Sequence, residues 1–392
     1  MWAVVGVVAF MGAGTWVLRS ILAETGAARI LTISVLGLSL VAALPAAALI
    51  IYLDRREPET PGLLVLAFLW GGLASAGLAV VLNGFFNQAV SRWFNESAGL
   101  ADTSRLGYQL LDDSDLLAWL QNALVAPYIE EALKAVALVV LVLLARSEMT
   151  SMRDGIVYGA LVGLGFAVIE ATVFTMQDYA TTGTVDYAAE LVPRFVLGGV
   201  NGHALYTPLF GAGLGWIRQS HQRVVHGVLV VVGAYLLAVA AHAGANAFAP
   251  IALGNFASLF GFDPNAITVA ELWFLEMIAT LAVSAWVYVV LAFLVVVSGY
   301  WELDVCRQEL ADETDPTISP REYELLENES LFKLRRVPGV SRRQSARLVR
   351  AQNELAFRRH DVRRVGGDPR TDPLTDQWRV TVAALRTAGH IT

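Results

Sequence analysis

Glu130, Glu131 and Lys134 lie within Ala126–Ala145, a run that is otherwise almost wholly apolar and long enough to cross a bilayer. A charge at bilayer depth costs at least about 2.5–3.5 kcal/mol even on the lenient insertion scale, so such groups persist only where they are paired, solvated or used. Further apolar segments carry misfits of their own: Glu170, then His203, then His242 with Asn246. Carboxylates and imidazoles are the usual general acids and bases. Imidazole and carboxamide donors can also stabilise an oxyanion, and imidazoles with carboxylates can ligate a metal.

Spacing assigns these residues to faces. On a helix, Lys134 is four residues from Glu130 and three from Glu131, so it can reach either carboxylate. Adjacent Glu130 and Glu131 point about 100° apart, which argues against a shared task. One can face a site while the other pairs with Lys134; a purely structural ion pair is the plain alternative. Phe166 and Glu170 share a face in a segment rich in Gly155, Gly159, Gly163 and Gly165. Glycines at such intervals let helices approach closely. His203 follows Gly198-Gly199-Val200-Asn201-Gly202, and a single buried histidine is also readable as a satisfied packing residue. His242 and Asn246 again share a face at four-residue spacing, a pairing that suits oxyanion stabilisation or metal ligation with Asn246 in support.

The elements that must hold these residues are membrane helices. The chain is 56% hydrophobic and 16% charged, against roughly 25% charged in soluble domains. Residues 1–300 hold 12 of the 28 Lys and Arg, and Lys134 is the one lysine before the last 92 residues. With about 20 apolar residues per span, the sequence predicts an all-α, polytopic bundle of about eight spans. They are Met1–Leu18, Ile30–Leu53, Gly62–Val90, Leu117–Ala145, Gly155–Thr175, Leu191–Ile217, Val224–Phe248 and Val269–Tyr300. Met1–Leu18 lacks the basic start and small-residue cleavage site of a signal peptide and is read as a span. Two regions follow: a membrane domain over 1–300 and a short, charged, helical cytoplasmic tail over 301–392.

Arg55, Arg56, Arg146, Arg153, Arg218 and Arg223 fall in short loops on one side, which places both termini in the cytoplasm of a multi-pass plasma-membrane protein. Arg19 and Arg29 run against this scheme. The opposite loop from Ser91 to Asp115 carries Glu96, Asp102, Asp112, Asp113 and Asp115. The tail opens with an acidic linker, Asp304 to Asp315, then a helix start at Ser319-Pro320-Arg321-Glu322. Its stretch from Leu331 to Arg364 holds eleven basic residues against Glu354 and Asp361. That pattern fits a solvated helical hairpin or attraction to anionic lipid; nucleic acid is not an expected partner. Cys306 is alone, so no intrachain disulfide is expected.

With these residues in place, the chain resembles the PrsW family of intramembrane proteases, relatives of the CAAX-processing and bacteriocin-processing membrane proteases. The resemblance covers roughly residues 30–300. It rests on Asp54-Arg55-Arg56-Glu57-Pro58-Glu59 before the third span, then Glu130-Glu131-Ala132-Leu133-Lys134, then Gly165-Phe166-Ala167-Val168-Ile169-Glu170. Gly202-His203 and His242 with Asn246 complete it. Ala171 stands where many members carry Asn.

The resemblance implies an intramembrane endopeptidase acting on membrane-anchored protein substrates, such as a single-span regulator. It implies Glu130 and Glu131 as catalytic acids, His203 as required, and His242 with Asn246 as the last motif; Glu170 joins them, with Lys134 and Phe166 in support. Two mechanisms fit. In one, a Glu is general base toward water while His203, His242 and Asn246 stabilise the oxyanion. In the other, Glu131, Glu170, His203 and His242 hold a divalent metal such as Zn²⁺. A proton- or cation-coupled transporter and a non-catalytic scaffold are the rival functions. All of these readings of one site require Glu131 within about two helix diameters, roughly 20 Å, of both imidazoles.

Overall fold

The computed structural model describes residues 2–24, 29–98, 113–145, 148–220, 224–263, 266–331 and 333–388. The loop residues Asp102, Asp112, Arg146 and Arg223 invoked for orientation lie outside them. The described residues are helical without a strand, and contacts divide them into two units: residues 1–52 with 60–292, and 53–59 with 293–392.

The first unit begins with α1 (Trp2–Glu24) and α2 (Arg29–Leu53). Then come α3 (Pro61–Leu69) and α4 (Gly77–Ala98), joined without a break by π-helical Trp70–Ala76. Next are α5 (Asp113–Leu120) and α6 (Ala126–Leu144), joined by π-helical Gln121–Val125. α7 (Met152–Thr182), α8 (Tyr187–Phe195), α9 (His203–Gln219), α10 (Val224–Phe260) and α11 (Val269–Leu310) follow. Among the described residues, five helices are long and apolar enough to cross a membrane, over Arg29–Leu53, Pro61–Glu96, Met152–Thr182, Val225–Phe260 and Val269–Leu310.

Two of the expected spans take a different form. Leu117–Ala145 is one continuous helix only by way of the π-helical turn, which leads straight into Pro127 in the first turn of α6. A proline has no N–H to donate, so the wider turn costs nothing there. Leu191–Ile217 is two helices, not one. Gly198, Gly199 and Gly202 take positive φ of 64°, 80° and 57°, a region that L side chains rarely adopt. The break is pinned by Ala46 N donating to Gly198 O (3.0 Å) and by Asn201 Nδ2 donating to Pro193 O (2.9 Å). Its effect is to make His203 the first residue of α9.

α7 is the centre of this unit: 89% of its most apolar window is buried, against 11% for α11. The glycines singled out in the sequence explain how. A Cβ on Gly155 would lie 1.9 Å from Gly211 O, one on Gly163 2.0 Å from His203 O, and one on Gly165 1.9 Å from Phe68 O. Backbones therefore touch on two sides of α7, and only hydrogen fits between them.

The second unit comprises residues 53–59, the end of α11, α12 (Pro320–Glu327), α13 (Arg342–Arg364) and α14 (Pro373–Ala388). Tyr300 is not a break, since α11 runs on to Leu310. The stretch expected as an acidic linker is instead the partner of the tail's arginines. Arg359 pairs with Glu309, Asp312 and Glu313, and Arg363 with Glu309 and Asp312. Ser319 caps α12 reciprocally with Glu322, with Pro320 in the first turn, as the sequence anticipates. Burial pushes the Glu322 carboxyl up, but hydrogen bonds from the Arg386 guanidinium and the Ser319 amide outweigh it and hold it below the usual carboxylate range.

Arg56 is fully buried in this unit. It lies 2.6 Å from Glu329 Oε1 and 3.4 Å from Glu302 Oε2, while Asn353 donates to its carbonyl at 3.0 Å. A network of this kind fixes the 53–59 segment because each buried charge has an opposite charge beside it.

Candidate active site

Four helices bring the polar misfits together. α6 contributes Glu130, Glu131 and Lys134, α7 contributes Phe166 and Glu170, α9 contributes His203, and α10 contributes His242. Glu131 Oε1 stands 3.1 Å from His242 Nδ1 and 3.9 Å from His203 Nδ1, far inside the distance a single site demands.

The paired carboxylates have unlike surroundings. Glu131, 2% exposed, is fully engaged: Oε1 accepts from Lys134 Nζ at 2.6 Å and faces His242 Nδ1, and Oε2 accepts from the Thr207 hydroxyl at 2.9 Å. Glu130 is held differently. Its Oε1 accepts from Asn83 Nδ2 at 3.0 Å, while its buried Oε2 has no hydrogen-bond partner in the protein. That oxygen lies 3.9 Å from His203 Nε2 and 3.9 Å from His242 Nε2. Thus the neighbour of Lys134 at 2.6 Å is Glu131, and Glu130 is the carboxylate with an oxygen to spare.

The neighbours also fix which ring nitrogens carry protons. His242 donates Nδ1–H to Glu131, so its Nε2 presents a lone pair. Around His203, Lys134 Nζ approaches Nδ1 at 2.8 Å and Glu170 Oε2 approaches Nε2 at 3.0 Å. An ammonium can only donate, so Nδ1 accepts and Nε2–H donates to Glu170. Phe166 packs its edge against the His203 ring at 4.6 Å and lies 4.1 Å under the Lys134 ammonium. Tyr206 stacks on His242 at 5.4 Å. These rings pack against both imidazoles.

Glu130, His203 and His242 each offer one ligand atom, all within 4.8 Å of one another and all buried. The donor set fits a divalent metal. Glu130 Oε2 is an acceptor without a hydrogen-bond partner among the described residues, His242 presents Nε2 with its other nitrogen on a carboxylate, and His203 would ligate through Nε2 by releasing its proton to water, since ligands deprotonate as metal binds. The contact of His242 Nδ1 with Glu131 is of the kind that orients a metal ligand. Glu131 and Glu170, the carboxylates expected to join the histidines as ligands, each place an oxygen on a histidine ring nitrogen.

Asn246 does not join the cluster. Its Nδ2 donates to the backbone carbonyl of Asn122, in the π-helical turn, at 2.9 Å. It does line the cavity of about 730 Å³ onto which Glu130, Glu170, His203 and His242 open, a size typical of ligand sites.

Three polar neighbours went unnoticed in the sequence. Thr207 is four residues after His203 and so on its face. Asn83 sits in an apolar span with Asn87 one turn on, the same signal that drew attention to His242 and Asn246. Arg194, 3.8 Å from Glu170 Oε2, gave no signal.

A family model described as PrsW family intramembrane metalloprotease matches residues 59–298, more than half of the chain and every residue of this cluster. No curated protein and no solved structure matches the chain.

Proposed function

The chain belongs to the PrsW family of intramembrane metalloproteases, and from that premise we propose that Glu130, His203 and His242 hold one divalent metal at which peptide bonds of membrane-anchored proteins are cut. The observation that carries this reading is the orphaned Glu130 Oε2, placed 3.9 Å from the Nε2 atoms of two histidines on other helices. A buried carboxylate oxygen without a hydrogen bond is costly, even with Lys134 Nζ at 3.9 Å, and convergence with two imidazole nitrogens accounts for it. When bound, a divalent ion there supplies a Lewis acid and makes water a nucleophile near neutral pH.

The remaining roles fall to the chain itself. Glu131 keeps His242 in the tautomer that presents Nε2, and Lys134 and Thr207 keep Glu131 in place. Asn83 ties down Glu130 Oε1 and so aims Oε2. Glu170 is the carboxylate that both lines the cavity and touches a ligand imidazole. It takes the proton from the attacking water and returns one to the leaving amine, as a general base does. Arg194 Nε lies 3.8 Å from its Oε2. The protein is a multi-pass membrane protein, and we place both termini in the cytoplasm of the plasma membrane, following Arg55, Arg56, Arg153 and Arg218.

The test is cleavage of a tagged single-span reporter co-reconstituted in liposomes. Wild type should release the cleaved fragment. Glu170→Gln should slow release by about 10²–10⁴-fold, the usual worth of a general base, while metal content stays at the wild-type level. Wild-type protein that is folded and metal-loaded yet never cuts a panel of such reporters would sink the peptidase reading.

A packing prediction tests the scaffold. Gly163→Ala forces a Cβ against His203 O, so α9 must shift at its first residue. A misplacement of about 1 Å costs about 10²-fold in rate. Gly12→Ala, with nothing within 4 Å of the added Cβ, should leave the rate unchanged. Equal rates in both variants would show that the contact between α7 and α9 does not position His203.

A further inference from the structure

Among the described residues, the polar atoms around the cavity without hydrogen-bond partners share one property: all accept hydrogen bonds and none donates. Besides Glu130 Oε2 they are the carboxamide oxygens of Asn83, Asn87 and Asn201, each buried and without a hydrogen-bond partner in the protein, on residues that line the cavity. Two of the carboxamides have settled orientations. Asn83 donates Nδ2 to Glu130 and Asn201 donates Nδ2 to Pro193 O, so in both the oxygen is the end left over. Asn201 is only 3% exposed.

We infer that these oxygens receive the backbone N–H groups of a substrate segment bound in extended form, so that the protein selects membrane-borne chains that are unwound at the cut. The inference rests on the peptidase reading and names how that site recognises its substrate. A transmembrane helix satisfies its own N–H groups internally and has none to give. An extended chain points every second N–H to the same side, at intervals of about 6.6 Å. Asn83 and Asn87 are four residues apart on α4, a rise of about 6 Å, and so match donors i and i+2 of such a chain. Because Asn83 also holds Glu130, the first of these pairings falls beside the metal ligands and sets the register of the scissile bond. A site lined with unpaired acceptors discriminates strongly against ligands that bring no donors.

Asn87 is the residue to change, since its buried carboxamide oxygen has no hydrogen-bond partner among the described residues and holds neither a helix nor a metal ligand in place. The probes are three synthetic single-span peptides in liposomes: an unbroken Leu/Ala helix, the same helix with a central Gly-Ser segment, and the Gly-Ser peptide with its central amides replaced by esters. Binding is measured to Glu170→Gln protein, which holds peptide without cutting it. The Gly-Ser amide peptide should bind about tenfold more tightly than either of the others, equivalent to about 1.4 kcal/mol.

Adding Asn87→Leu should remove about tenfold for the amide peptide and nothing for the ester peptide, whereas Asn87→Asp, which keeps an acceptor, should retain the preference. Equal binding of amide and ester peptides, or an Asn87→Leu loss shared by both, overturns the inference. The two readings fail separately. Cleavage by wild type without amide preference removes only the extended-chain docking, and amide-selective binding without any cleavage removes only the peptidase.

Discussion

Replacing Glu130 by glutamine should abolish both cleavage and metal retention, lowering the rate by at least about 10³-fold. The magnitude follows from losing the Lewis acid, worth several kcal/mol, at 1.36 kcal/mol per tenfold in rate. Glutamine keeps the volume and can still bond Asn83, so the change is confined to Oε2, the oxygen that has no partner in the protein. His242→Ala should behave alike, because it removes Nε2 together with the Nδ1 contact to Glu131. The contrast with Glu170→Gln is the informative part. All three variants lose activity, but only Glu130→Gln and His242→Ala should lose metal. A Glu130→Gln protein that cuts the single-span reporter at the wild-type rate would show that this oxygen takes no part.

Lys134→Met carries the largest expected cost in stability. Lys134 is fully buried, 2.6 Å from Glu131 Oε1 and 3.9 Å from Glu130 Oε2. Removing the cation strips Glu131 of its closest charge partner and, in metal-free protein, Glu130 of one as well. Breaking a buried pair costs about 3–5 kcal/mol, a large part of a protein's total stability. The variant should accumulate poorly and unfold at lower temperature in detergent. The double variant Lys134→Met with Glu131→Gln should recover part of that loss, since its members are in contact and their effects do not add. Thermal unfolding of the three proteins is the measurement; an unchanged midpoint for Lys134→Met would mean that the two carboxylates carry no net charge.

Both expectations depend on how the sequence encodes the cluster. Glu130, Glu131, Lys134, Glu170, His203 and His242 were legible because each interrupts a long apolar run, and charge in such a run requires a reason. The helical spacing of Lys134 from the two carboxylates was legible too, and its closer partner is Glu131. Which carboxylate would keep a free oxygen was not legible. That is decided by Asn83 on α4 and Thr207 on α9, which bond Glu130 and Glu131 respectively. Asn246 shows the limit of reading faces. It shares a face with His242, but the π-helical turn before α6 turns the Asn122 carbonyl toward it and takes its amide.

The break between α8 and α9 was hidden for a different reason. Leu191–Ile217 is apolar enough to read as a single span, and three glycines with positive φ turn it into a corner. Gly198-Gly199 and Gly202 are the residues that could have announced it. Without that corner His203 would sit within a helix rather than begin one. At the tail, the charge pattern gave the helices but not their partners, since the acids from Glu309 to Glu313 looked like a solvated linker and instead pair with Arg359 and Arg363.

The metal content of the purified full-length protein, measured by elemental mass spectrometry beside cleavage of the single-span reporter, bears most directly on the three-ligand site. Wild type should carry one divalent ion per chain, lose it with its activity to a chelator, and regain both on adding the ion back. Glu130→Gln should carry none. Undiminished cleavage by chelated, metal-free protein would contradict the account at its centre.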